Sequence, residues 1–361
     1  MDIIHQPTSA DKYSRLLRQI ADELLSEQGD ARLSAAVTGL YSLCSSVTGI
    51  DEGSTHTDDM GETNLPSGKA ISPKDAARCV LDYRRTSKFL RGLHAAILEA
   101  QKRFPNVAIE ILYAGCGPFA TLAIPLTSQF SPVDIKFTLL DVHKRSLDAA
   151  QRIFQAFGKS AFVRGYIQCD AASYKNDAPH VIHVVVVEAM LAALEREPQV
   201  AITMNLALQL CPGGIFIPER IIVDCYLCDL TREFPTLSPK ADATDPLSAG
   251  GRNKVRFNLG RVLELTAGNC RGLLASGNSD EHRGASLAPK PILNVPEDLN
   301  GEFDVMLLTS ITVFNSITLD ECESGLTCPR ILYDMGKLYR GKGIEFEYYF
   351  GDEPGFKYRS F

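Results

Sequence analysis

The sequence predicts an α/β unit followed by an all-β unit, with a helical segment in front. Three observations carry this. Between about residues 105 and 220 apolar strands alternate with helical stripes, the pattern of a parallel sheet wrapped by helices. After about residue 221 the helical period gives way to strand-like runs separated by turns, as in a barrel or sandwich. Before residue 50 the apolar positions recur at helical spacing.

The front segment holds two amphipathic stripes. Tyr13, Leu16, Leu17, Ile20 and Leu24 form the first, and Leu33, Val37, Leu40, Tyr41 and Cys44 the second. The polar stretch DEGSTHTDDMGETNLPSGKA follows and reads as a loop or mobile linker. Residues 1–71 are therefore a helical appendage with its linker. A new helix starts at Ser72, a capping residue followed by Pro73 at the first helical position and Asp75 two residues on. It continues, with or without a break, to about Lys102.

From there VAIEILYAG, DIKFTLLDV, AFVRGYIQC and VIHVVVV read as strands, with helices over 146–157 and 199–210. This unit spans 72–220. The last unit, 221–361, contains FDVMLLTSITVFNSITL, PRILYDMGKLYRG and GIEFEYYFGDEPGFKYRS, read as antiparallel strands. Two stretches rich in Ser, Pro, Gly and Asp, 235–254 and 276–300, read as loops.

Bulk properties narrow the function. The 361 residues are 45% apolar, ordinary for a folded chain, and the net charge is −7 with acids and bases interspersed. Nucleic acid as main partner is disfavoured, because phosphate binding wants clustered Lys and Arg. No run approaches the ~20 apolar residues of a membrane helix. The start, MDIIHQPTSADK, lacks the signature of a signal peptide, so a cytoplasmic setting is expected and the ten cysteines read as reduced thiols. Cys225 and Cys228 form a CxxC inside a strand-like run. Residues three apart there point to opposite faces, and no second pair has zinc spacing, so no metal site is expected.

The chemistry sits at the ends of the predicted parallel strands. Ala114-Gly115-Cys116-Gly117-Pro118-Phe119 is a glycine turn between a buried strand and an expected helix, where bare backbone lets a ligand approach. Asp141 closes the next strand and can accept both ribose hydroxyls of an adenosine. Asp170, after the third strand, can accept from an adenine amine or stand as a turn acid. Pro118-Phe119 replaces a third glycine, which leaves less room for a pyrophosphate but admits a nucleoside with an amino-acid tail. Glu188 and Glu197, nine positions apart, bracket the loop after VIHVVVV, and two carboxylates there suit a planar guanidinium. Glu195 competes for the second place. His143 and His183 flank strand ends and read as packing or capping residues.

At three separated places the chain resembles the protein arginine methyltransferases. Asp82-Tyr83-Arg84-Arg85-Thr86-Ser87-Lys88-Phe89 is similar to that family's DxxRTxxY segment. AGCGPF resembles the glycine loop of its symmetric-dimethylating branch, and Glu188 and Glu197 match the spacing of its double-glutamate loop. LCPGGIFIPERI is similar to its PGG-x-x-x-P strand entry. The resemblance spans roughly 75–361. It implies a Rossmann-like domain and a β-barrel, S-adenosylmethionine as cofactor, and a homodimer. It implies that Arg85 binds the cofactor's carboxylate, that Gly115, Gly117 and Asp141 line the cofactor, and that Glu188 and Glu197 clamp the acceptor.

The chain departs from the family in lacking tryptophan, hence the family's Thr-His-Trp segment, and AMLAALER lacks the aromatic and glycine residues usual between the glutamates. Tyr113 stands where many methyltransferases carry an acid. The function expected is N-methylation of a guanidino nitrogen, on free arginine, a guanidino metabolite or protein arginine. The alternatives are a small-molecule N- or O-methyltransferase without guanidine chemistry, and a non-catalytic binding subunit.

Overall fold

The computed structural model describes residues 9–27, 29–177, 180–233, 255–270, 285–287 and 290–361. Two helices, α1 (Ser9–Leu25) and α2 (Asp30–Thr48), lead into a short hairpin, β1 (Thr63–Leu65) and β2 (Gly68–Ala70). Then come α3 (Pro73–Arg78), α4 (Tyr83–Arg103), β3 (Ile109–Ala114), β4 (Ile135–Asp141), α5 (Lys144–Ala156), β5 (Val163–Gln168), β6 (Ile182–Val187), α6 (Gln199–Leu206) and β7 (Leu210–Ile217). The remainder is mostly strand: β8 (Arg220–Cys228), a single turn α7 (Leu230–Glu233), β9 (Arg256–Leu265), β10 (Ala285–Ser286), β11 (Ile292–Asn294), β12 (Asp304–Phe314), β13 (Ile317–Leu319), β14 (Arg330–Ile331), β15 (Gly343–Phe350) and β16 (Gly355–Ser360).

Local chemistry explains the helix breaks. Ser72 accepts from the Asp75 amide at 3.1 Å and caps α3, with Pro73 at its first position. A 3-10 turn at Cys79–Leu81 ends that helix, and Asp82 restarts the chain as α4 by accepting from the Arg85 amide at 3.3 Å. The break sets Arg85 in the first turn of α4.

The five parallel strands run β5-β4-β3-β6-β7, a Rossmann-like sheet. The run IHVVVV of β6 is buried throughout because both faces are covered. Val184 and Val186 pack with α1, α2, α4 and α5, whereas Val185 and Val187 pack with Ile202 and Leu206 of α6. Leu17, Leu24, Val37 and Leu40 of the first two helices belong to the same core as Phe89 and Phe137. That core also takes in Val305, Val313 and Phe346 of the C-terminal strands.

Those strands form two antiparallel sheets, β13-β12-β8-β9 with β14 on β12, and β10-β15-β11 with β16 on β15. Cys225 and Cys228 of β8 pack into different apolar clusters, as opposite faces require, and burial pushes each thiol up to about 12. No disulfide links the ten cysteines. Among the described residues no helix is long and apolar enough to cross a membrane.

The structure departs from the sequence reading at three places. The stretch read as a bare linker folds into a 3-10 turn, Thr57–Asp59, and the β1–β2 hairpin. The glycine turn is followed by turns and a 3-10 segment, Pro125–Ser128, where a helix was expected; Pro118, Pro125 and the left-handed Ala120 (φ 44°) interrupt any regular helix. Part of 276–300 carries β10 and β11; the rest of it that precedes β10 and residues 288–289 lie outside the described residues, as does all of 235–254.

Candidate active site

The carboxyl ends of four neighbouring strands converge on one cavity, where open α/β sheets bind ligands. Beyond β3, Gly115 (φ 69°) and Gly117 (φ 62°) take left-handed conformations that leave the backbone bare. The Gly117 amide donates to Asp141 Oδ2 at 2.9 Å, and the His143 amide donates to Asp141 Oδ1 at 2.8 Å. Both oxygens at the end of β4 are thereby fixed, and each keeps capacity for another donor. Asp170, past β5, accepts from the Ala172 amide at 2.9 Å. Glu188 follows β6 directly, and Arg85 of α4 reaches it, Nη2 to Oε2 3.3 Å. Arg85, Gly115, Gly117, Asp141, Asp170, Glu188 and Glu197 all line this cavity of about 990 Å³, which is partly open to solvent.

The electrostatics divide the two glutamates. Burial pushes Glu188 upward while Arg85 holds it back, and burial of Arg85 is outweighed only by Glu188, Cys79 and Asp82 acting together, so the guanidinium stays firmly charged. Glu197 is only 7% exposed, and no hydrogen bond from the described residues reaches its carboxylate. Burial, with Glu188 adding repulsion, pushes it up to about 8. Glu188 is thus paired with Arg85, whereas Glu197 is biased toward its protonated form near neutrality. A cation entering beside Glu197 would draw off its proton and be held by the resulting charge.

The loop that carries Glu197 is strained and braced. Ala193 (φ 56°), Leu194 (φ 57°) and Arg196 (φ 65°) are left-handed without being glycine, conformations that persist only when the surroundings impose them. Thr309 of β12 accepts from the Ala193 amide at 2.8 Å, and the buried Tyr348 of β15 donates its hydroxyl to the Leu194 carbonyl at 2.7 Å. The Arg196 amide donates to the Pro354 carbonyl at 2.8 Å. Glu195 is drawn to Arg330 of β14, 2.9 Å away, and does not line the cavity. The loop thus directs Glu197 inward and Glu195 to the β unit.

Sequence reasoning missed the hairpin wall: Leu65, Lys69 and Ala70 line the cavity. Its signal was faint, a Gly68 amid polar residues. His143 also lines the cavity, with Nε2 2.9 Å from Thr63 Oγ1. His183 lies elsewhere, its ring tilted against Phe104 and accepting from the Glu110 amide at 3.0 Å. Tyr113 fills the floor, and burial keeps its hydroxyl protonated far above neutrality. Among the described residues no group of His, Cys, Asp and Glu is arranged to hold a metal ion.

No protein-family model matches this sequence, and no curated protein does. Among solved structures the chain is similar to one described as the Trypanosoma brucei PRMT1 enzyme-prozyme heterotetrameric complex with AdoHcy. The identity is 11%, the match covers 75% of this chain and 85% of that chain, and the TM-score is 0.46.

Proposed function

We propose that the protein is an S-adenosylmethionine-dependent N-methyltransferase acting on a guanidino nitrogen. The observation that carries this is the convergence of seven residues from separated parts of the sequence on one cavity at the strand ends. The residues fit the cofactor. Asp141 is fixed with spare acceptor capacity for two hydroxyls, the left-handed glycines leave the backbone bare, and Arg85 offers a buried guanidinium to a carboxylate. No regular helix starts at the glycine turn, so the dipole that favours a pyrophosphate is missing. In this reading Asp170, which also lines the cavity, accepts from the adenine amine.

When bound, the cofactor supplies an electrophilic methyl on a sulfonium. Glu188 and Glu197 then hold the guanidinium, keep its positive charge on the nitrogens that do not react, and orient the reacting nitrogen toward the methyl. The methyl would pass to the nitrogen lone pair, with the C–S bonding pair left on sulfur. The nitrogen's proton, acidic once the C–N bond forms, passes to a glutamate or to water. The acceptor class comprises free arginine, other guanidino compounds and protein arginine.

Calorimetric titration with S-adenosylmethionine, followed by methyl transfer onto guanidino acceptors, tests the reading; absence of cofactor binding to the folded protein would refute it. The resemblance in sequence also implies a homodimer. Light scattering that gives a fully active monomer at micromolar concentration would remove the dimer.

A further inference from the structure

We infer that the acceptor is a small guanidino acid, with its guanidinium on Glu188 and Glu197 and its carboxylate on Lys69. This rests on the reading of the site just given. The β1–β2 hairpin walls the cavity from the ribose side to the second glutamate. At one end Thr63 Oγ1 meets His143 Nε2; at the other the Lys69 amide donates to the Arg196 carbonyl at 2.7 Å. Gly68 lies so close that a Cβ there would stand 2.8 Å from the same carbonyl oxygen. The segment before the hairpin is anchored too: Asp59, fully buried, meets Arg145 Nε at 2.6 Å and accepts from Ser54.

A wall fixed at three points covers one side of the cavity beside Glu197, which is 7% exposed, and Glu188, whose side chain is 16% exposed. A polypeptide acceptor would have to pass that fixed wall, whereas a small acceptor needs only the cavity with a cation at its rim. Apart from Arg85, Lys69 is the only lysine or arginine among the described residues lining the cavity. Its ammonium is 30% exposed and 3.4 Å from Glu62, which is 41% exposed. So open a pair contributes little, and Glu62 also pairs with Arg196 at 3.2 Å, so Lys69 can turn to another carboxylate at small cost. Arg85, deeper and on the opposite element, serves the cofactor's carboxylate. Lys69 hangs from the strand bonded to the residue just before Glu197, which sets a carboxylate site beside the guanidinium clamp.

The test compares L-arginine with agmatine, the same guanidine without the carboxylate, on the full chain. Binding is read by calorimetry with S-adenosylhomocysteine present, and transfer is read as kcat/KM. The expected result is a preference of about tenfold or more for L-arginine, the range for one charge-assisted bond. Lys69→Met should abolish that preference while leaving agmatine and cofactor affinity unchanged. Equal binding of the two compounds by the unaltered protein would overturn the proposal. So would a Lys69→Met variant that weakens cofactor binding in place of L-arginine binding, because Lys69 would then serve the cofactor. Transfer onto an arginine peptide with blocked termini as readily as onto L-arginine would overturn it and leave the guanidine chemistry standing. Cofactor binding with no guanidino compound bound or methylated would bring down the site reading and this inference together.

Discussion

The two halves of the cavity are built on opposite principles. Around Asp141 the carboxylate is satisfied by two backbone amides, and the nearby left-handed residues are glycines that bear the conformation without cost. Around Glu197 the carboxylate lacks a hydrogen bond from the described residues, three non-glycine residues are left-handed, and the geometry is imposed by both antiparallel sheets, through Thr309 of one and Tyr348 of the other, and by Pro354. A half that is finished before any ligand arrives suits a constant cofactor. A half holding an acid without a hydrogen-bond partner under strain suits a step in which a cation must be received and then released. Under the proposed function, that is the half where binding energy would be converted to chemistry.

The comparison is broken most severely by removing either cavity carboxyl group. Glu188→Gln or Glu197→Gln keeps shape but loses a carboxylate, and turnover on the true acceptor should fall at least ~100-fold, about 2.7 kcal/mol of transition-state stabilisation. Cofactor affinity measured by calorimetry should hardly move for Glu197→Gln. Glu195→Gln loses only its pairing with Arg330 and should be mild; an essential Glu195 with a dispensable Glu197 would reverse the assignment of the loop.

The finished half is probed by Asp141→Ala, expected to weaken S-adenosylmethionine by about 2 kcal/mol or more, roughly 30-fold, since two bonds to a charged acceptor disappear. Unchanged affinity in a folded variant would move the ribose elsewhere. The bracing is probed by Tyr348→Phe, which deletes one hydrogen bond to the Leu194 carbonyl, about 1 kcal/mol. If that bond positions Glu197, kcat should drop by about fivefold while cofactor affinity holds; a fall in thermal stability without a fall in kcat would reduce Tyr348 to a packing role.

The smallest effect is on stability against pH. Glu197 is pushed up to about 8 in the folded protein, so its folded-state value exceeds the unfolded one. Between the ordinary glutamate range and about 8 the unfolded chain releases this proton before the folded one does, and stability declines as pH rises through that window. Glu197→Gln escapes the decline. Its melting temperature relative to the unaltered protein should therefore climb by a few degrees from pH 5 to pH 9 when measured without ligand, and a flat difference would show that Glu197 ionises normally.

Much of the cofactor half was legible because its signals are local: a glycine turn after an apolar run, then Asp141 at the end of the next strand. The helix expected after the glycine turn failed because Ala120 turns left-handed, a choice set by packing that no propensity reveals. The spacing of Glu188 and Glu197 was legible, but the separation of Glu195 from Glu197 was not, since it depends on Arg330 arriving from 135 positions away. The hairpin was illegible for a similar reason. Its strands are three residues each, too short for an alternating pattern to register, and they are held by contacts to Arg196 and His143 across the fold.

The sharing of one apolar core by α1, α2 and the sheet bears on how the chain may be shortened. A chain starting at Ser72 would retain the seven cavity residues read from the sequence, although it loses the hairpin wall with Lys69, and would look, on paper, like a minimal catalytic unit. It would also strip the cover from Phe89, Phe119 and Phe154, which pack in the same core as Leu17, Leu24 and Leu40. Surface of that kind seeks another partner. Such a truncation should elute as aggregate in size-exclusion chromatography, whereas the intact chain should not. The front helices are thus a solubility requirement, and a library of shortened variants should cut inside neither of them.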